Sequence, residues 1–191
     1  MKSPKIILAS SSPRRKKILE DVGYTFDIYP SNILEVYPDS LPIEDIPVYL
    51  AEKKAESVKS KFKNAIIISA DTIVAFNKEV MEKPINGKEA ARMLQTLSGQ
   101  THQVITGVSI IYKNEAVSFT DITLVTFKEL SLEEIEYYVD HYQPFDKAGA
   151  YGIQEWLGLI GVERIEGSYF NVMGLPIHRV YSEISRLSLL P

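Results

Sequence analysis

The sequence predicts an α/β fold with some antiparallel pairing, and three observations carry that expectation. Residues 6–9 (IILA) and 65–70 (AIIISA) are short runs, apolar but for Ser69, of the kind that fill strands buried on both faces. Between such runs lie segments whose apolar residues recur every three or four positions, the pattern of a helix with one buried stripe. Two long β-branched stretches, 104–112 and 117–127, are joined by Lys113-Asn114-Glu115-Ala116 and read as a hairpin. Strands and helices alternating in this way define an α/β layering with a partly antiparallel sheet.

The elements follow in order. After strand 6–9 come Ser10, Ser11 and Ser12, then Pro13. Ser12 suits an N-cap and Pro13 the first helical position, so a helix begins there. Its first turn carries Arg14, Arg15, Lys16 and Lys17, cations where the helix dipole favours anions. Strand, small-residue turn and helix N-terminus is how many folds build a phosphate cradle, the alternative being a solvated basic turn. Gly23 ends the helix, residues 24–29 read as a strand, and Pro30, Pro38, Pro42 and Pro47 make the following stretch a loop that holds Glu35. A helix is expected from Asp45 to about Phe62, with Val48, Ala51, Ala55, Val58 and Phe62 inward and Lys54 on the margin of the stripe.

Asp71 follows the apolar run 65–70, so the pattern predicts a carboxylate at the carboxyl end of a central strand, where open α/β sheets place their chemistry. Residues 72–75 continue extended, Asn77-Lys78 turns the chain, and Glu82-Lys83-Pro84 follows the return. Asn86 and Glu89 have capping-box spacing, opening a helix that runs through Leu97 to Gly99. Ser131 and Glu134 repeat that spacing; Leu132, Ile135, Val139 and Tyr142 are the expected buried face of the helix they open. Residues 144–174 interleave glycines with Tyr151, Trp156, Tyr169 and Phe170, a pattern of close backbone approach or tight connections. Pro176 leads a last helix with Ile177, Val180, Ile184 and Leu187 inward.

Composition narrows the function. At 191 residues the chain can bury a full core, and 45% hydrophobic with 24% charged residues is ordinary for a soluble protein. A net charge of -4 argues against broad binding of nucleic acid or anionic membrane. The absence of cysteine excludes a thiolate nucleophile, disulfides and cysteine-built zinc sites. No apolar run is long enough for a signal peptide core or a membrane span, so a cytoplasmic protein without membrane partners is expected. The three histidines are scattered, there is no G-x-S-x-G elbow, and there is no G-x-x-x-x-G-K-[ST] loop.

Several dispersed motifs, in order along nearly the whole chain, resemble the Maf family of nucleotide pyrophosphatases. They are Leu8-Ala9-Ser10-Ser11-Ser12-Pro13-Arg14-Arg15, Ala70-Asp71-Thr72-Ile73-Val74, Glu82-Lys83-Pro84, Thr106-Gly107-Val108, the run KAGAYGIQ from Lys147 to Gln154, and the run GSYFNVMGLP from Gly167 to Pro176. This chain carries Glu82 where the family often has glycine before the Lys-Pro pair. The resemblance implies a long, twisted mixed β-sheet with helices forming two lobes around a deep cleft, as in the inosine triphosphate pyrophosphatases, and residues 1–191 as one such domain. It implies hydrolysis of a nucleoside triphosphate to the monophosphate and pyrophosphate, a divalent cation (magnesium, with manganese or cobalt as alternatives), a homodimer and a link to septum formation. Arg14 together with Gln154 resembles the subgroup acting on dTTP and UTP, rather than the sister subgroup that prefers 7-methyl-GTP.

The residue chemistry agrees with that implication. Arg14 and Arg15 offer forked donors to phosphate oxygens, with Ser10 and Ser12 completing the cradle. Lys54 and Lys83 are point charges for the β and γ phosphates. Asp71 and Glu35 are candidate metal ligands, and either can act as base towards the attacking water. Gln154 can read the edge of a pyrimidine, since an amide both donates and accepts. A reading from a different class keeps the anion cradle without turnover, as a nucleotide-sensing regulator of cell division.

Overall fold

A computed structural model describes residues 4–188. Among the described residues the strands form one seven-stranded mixed sheet in the order β2-β1-β3-β5-β6-β7, with β4 paired to β3. The strands are β1 (Lys5–Leu8), β2 (Phe26–Ile28), β3 (Ala65–Phe76), β4 (Glu79–Met81), β5 (Thr101–Tyr112), β6 (Glu115–Phe127) and β7 (Val162–Glu166). The helices are α1 (Pro13–Asp21), α2 (Ile46–Lys59), α3 (Gly87–Leu97), α4 (Leu132–Tyr142), α5 (Trp156–Gly161), α6 (Tyr169–Val172) and α7 (Ile177–Ser188). The mixed α/β class expected from the sequence is therefore what the chain adopts. Residue contacts divide it into two compact units.

The first unit comprises Met1–Asp71, Thr106–Asp121 and Gly174–Pro191. In it β1 lies parallel to both β2 and β3, with Leu8 opposite Ile28 on one side and Ile68 on the other. Ile7, Ala9, Ala55, Val58, Ala65, Ile67 and Ile111 pack into one apolar cluster, with Tyr29 and Phe62 against it. Each isoleucine or valine side chain taken fully out of water contributes on the order of 1.5–3 kcal/mol. Helix α1 starts where the sequence places it, with Ser12 Oγ accepting from Arg15 N at 3.5 Å. Helix α2 is shorter than expected, Ile46–Lys59, and is entered through a 3-10 turn at Ile43–Asp45.

The second unit comprises Thr72–Ile105 and Ile122–Met173. Its core gathers Met93, Leu94, Leu97, Val104, Val125, Phe127, Ile135, Tyr138, Val139, Tyr151 and Leu157 among others. The capping box at Ser131 and Glu134 is present in full. At Asn86 only half of one forms, because Glu89 accepts from Ile85 N instead of the cap residue's own N–H. The expected inward face of α4 needs correction: Leu132 is 58% exposed and Tyr142 lies at the surface, while Tyr138 is fully buried beside Ile135 and Val139. Positions 135, 138 and 139 form the narrower stripe that three- and four-residue spacing allows.

His102 in this unit is buried, with Nε2 2.7 Å from the Tyr151 hydroxyl and its ring against Phe127. Burial pushes its pKa down to about 4. An unfolded chain takes up this proton near pH 6.5 and the folded chain only near 4, so the contribution is complete above 6.5 and lost as pH falls towards 4. The loss amounts to about 3 kcal/mol. Urea denaturation at pH 7.5 and 4.5 should show His102→Phe losing less stability on acidification than the unchanged protein, by about 2–3 kcal/mol. Equal losses would rule out this histidine as an acid trigger.

Candidate active site

Ser10, Ser12, Arg14, Arg15, Glu35, Lys54 and Asp71 all belong to the first unit. Asp71 is not at a strand end, as the apolar run ending at Ala70 led one to expect. Strand β3 continues to Phe76, because Thr72-Ile73-Val74 is itself β-branched and pairs onward with β4 from Val74. Asp71 instead lies between the last pair that β3 makes with β1, Ile68 with Leu8, and the first that it makes with β4, Val74 with Met81. The carboxylate thus stands on rigid strand backbone, with its side chain only 11% exposed.

Lys54, on the margin of its stripe by sequence, is buried at 6% exposure. Its Nζ lies 2.6 Å from Asp71 Oδ1 and 2.6 Å from Glu35 Oε1. A lysine withdrawn from water needs such partners, and two carboxylates supply them. Glu35 comes from the proline-bounded loop, which is expected to be loose, yet adjacent lysines of α2 hold it. Lys54 pairs with Glu35, and Lys53 Nζ donates to Val36 O at 3.3 Å.

Arg15 is fixed as tightly. Its Nε donates to Gly174 O at 2.8 Å and its Nη1 to Ser10 Oγ at 3.1 Å, while Ser12 N also donates to Ser10 Oγ at 3.2 Å. Burial lowers the Arg15 pKa, the Asp71 and Glu35 charges oppose that shift, and the neighbouring Arg14 adds to it. The guanidinium stays charged, so Arg15 lies within the field of both carboxylates. Lys16 and Lys17, counted with the arginines from sequence, turn instead to carboxylates of their own helix, Glu20 and Asp21. A serine hydroxyl that accepts in this way can still donate its own O–H.

Two carboxylates converging on one cationic point are a donor set that a divalent cation accepts when substrate oxygens and water complete its shell. Among the described residues no cluster of three or more His, Asp or Glu groups could close a metal site alone. Glu35 and Asp71 could supply two oxygen ligands to a cation whose remaining ligands come from substrate and water.

Lys83 and Gln154 belong to the second unit. Lys83 is exposed after β4, ahead of buried Pro84. Gln154 sits in the turn before α5; its Oε1 is buried and has no hydrogen-bond partner among the described residues. Two further groups there were not singled out from sequence. Lys147 is 7% exposed and pairs with Asp146 Oδ1 at 2.7 Å and Glu155 Oε1 at 3.1 Å. A lysine and an acid eight positions apart in a glycine-rich stretch have no periodic signal to announce them.

By fold and site this is an α/β protein that gathers arginines at a helix N-terminus beside a lysine-bridged pair of carboxylates. The model of the family described as Maf-like protein matches residues 5–187, and the chain belongs to that family. It is 50% identical over 182 residues to the dTTP/UTP pyrophosphatase of Cytophaga hutchinsonii, covering 95% of this chain and 84% of that one. It is 49% identical over 188 residues to the dTTP/UTP pyrophosphatase of Porphyromonas gingivalis, covering 96% and 94%. With the protein of the same name from Phocaeicola vulgatus it shares 52% over 185 residues, covering 96% of each.

Proposed function

We propose that this chain is a nucleoside triphosphate pyrophosphatase that hydrolyses dTTP and UTP, and modified pyrimidine nucleotides of the same shape, to the monophosphate and pyrophosphate. The observation that carries the reading is the Glu35–Lys54–Asp71 cluster within the field of Arg15, in a chain about half identical to relatives named for this activity. Arg14 and Arg15 bind phosphate oxygens through charge-assisted hydrogen bonds, and Ser10 and Ser12 add hydroxyl donors. Glu35 and Asp71 would hold a magnesium ion, which when bound supplies charge neutralisation on the phosphates.

Asp71 is the stronger candidate for base. Its carboxylate accepts a proton from water as the water oxygen bonds to phosphorus, the α–β anhydride breaks, and the electron pair leaves on pyrophosphate. Lys54 holds that carboxylate in place and, with Lys83, offsets phosphate charge. Gln154 reads the base, and a hydrophobic pocket that admits thymine admits uracil as well, because one methyl group is weakly discriminated. The family resemblance also supports a homodimer acting in the cytoplasm, with septum formation as its setting.

The test is product analysis over a panel of dTTP, UTP, CTP, ATP and GTP, with magnesium and with chelator. Pyrophosphate should be released from dTTP and UTP, and chelation should stop it. Tight binding of dTTP without turnover would favour the nucleotide-sensing regulator instead.

A further inference from the structure

We propose that Tyr138, Glu155 and Lys147 form a positioning clamp on the turn that presents Gln154, and that this clamp sets how sharply the enzyme tells one pyrimidine from another. The proposal rests on the reading of Gln154 as the residue that meets the base.

The turn runs from Gly152 to Glu155 and is closed by Glu155 N donating to Gly152 O at 3.0 Å. The Tyr138 hydroxyl closes it a second time: it accepts from Gly152 N at 3.1 Å and donates to Glu155 Oε2. The other carboxylate oxygen, Oε1, receives Lys147 Nζ at 3.1 Å. Burial, and then the bond to Glu155, push the Tyr138 pKa up, so the phenol keeps its proton and its direction as donor. Space allows no slack either. A Cβ on Gly152 would meet Glu155 Cδ at 2.8 Å, and one on Gly158 would meet Ile153 O at 2.0 Å. Ile153 is itself buried in the core.

Three of the four turn residues are thus immobilised around Gln154. The fourth has a buried amide oxygen with no donor among the described residues. Leaving such an acceptor unmet costs about 1–3 kcal/mol, and an unconstrained side chain would rotate to relieve it. A ligand that brings an N–H donor satisfies it. Uracil and thymine carry a hydrogen on the ring nitrogen between their carbonyls; cytosine presents a bare acceptor at the same atom. An acceptor held rigidly opposite that position discriminates, whereas one on a loose turn adapts to both. Selectivity then depends on residues with no part in touching the base.

The experiment measures kcat and KM separately for UTP and CTP in Tyr138→Phe, Lys147→Met, Lys147→Arg, Gln154→Ala and the double variant Tyr138→Phe/Gln154→Ala. Tyr138→Phe keeps the buried ring, and Lys147→Arg keeps the charge. The UTP-over-CTP ratio of kcat/KM should fall about fivefold or more in Tyr138→Phe and Lys147→Met, through a raised KM for UTP. Lys147→Arg should stay close to the unchanged enzyme, and the double variant should lose no more selectivity than Gln154→Ala alone. A ratio that moves with Gln154→Ala but with neither clamp variant overturns the clamp and leaves the base-reading role standing. Equal falls in kcat for both nucleotides, with the ratio intact, overturn it also. An unchanged ratio in Gln154→Ala overturns the base-reading role, and the clamp with it.

Discussion

Asp71→Asn should lower pyrophosphate release from dTTP by at least about a thousandfold while the protein stays folded. The two side chains share one shape, and the asparagine oxygen can still accept from Lys54 Nζ, which lies 2.6 Å from the present carboxylate. What disappears is the negative charge. A positioned base contributes on the order of 10²–10⁴ in rate, and loss of one carboxylate from the proposed cation site adds to it. Initial rates with magnesium, alongside dTTP binding by calorimetry, separate the two effects. Turnover should collapse while nucleotide binding changes by about tenfold or less. Raising the magnesium concentration restores part of the activity if Asp71 acts chiefly as ligand, and none if it acts chiefly as base. An Asp71→Asn enzyme within tenfold of the unchanged one would remove Asp71 from the chemistry.

Gly107→Ala should be the most damaging single methyl group that the first unit can be given. A Cβ at this position would stand 2.0 Å from Val48 N and 2.2 Å from Pro47 C, inside the backbone of the first turn of α2. No rotamer relieves a clash with main chain, so either the β5 backbone or the helix must move. Overpacking of this kind costs about 1–3 kcal/mol where side chains can yield and more where they cannot. A loss of about 3 kcal/mol or more in urea denaturation is expected. Because α2 also carries Lys53 and Lys54, any protein that does fold should turn over dTTP more slowly. An unchanged denaturation midpoint would refute the close approach.

The contrast between Gly107 and Tyr138 shows what was legible in the sequence. The buried runs, the Ser12 cap, the Ser131 box and the inward face of α7 follow from local rules, and the structure has them where those rules place them. Arg14, Arg15 and Asp71 stand out because each is a charge set immediately after an apolar strand or a small-residue turn. Lys54 was harder: nothing within its helix says that Glu35 and Asp71, 19 and 17 positions away in sequence, will meet its ammonium. Residues 72–75 read as extended, but their continuity with the run before Asp71 as one strand was hidden for a related reason. An aspartate reads locally as an interruption, and only pairing with β4 beyond it carries the strand on. The contacts among Tyr138, Lys147 and Glu155 were invisible because a network is defined by who faces whom, and periodicity records only which side is apolar. The short helices α5 and α6 and strand β7 lay within a glycine-rich stretch that reads as connection.

The bond from Arg15 Nε to the Gly174 carbonyl spans 159 positions of chain. On the function proposed above, it gives one guanidinium two employments, fastening the first helix to the segment that precedes the last, and greeting an anion. Truncating that side chain would therefore weaken the scaffold and the grip on phosphate together, and the measured deficit would overstate whichever of them was being sought. Arg14, its neighbour on the same turn, is the informative comparison. A thermodynamic cycle pairing each arginine with a nucleotide shortened by one phosphate would divide scaffold from recognition.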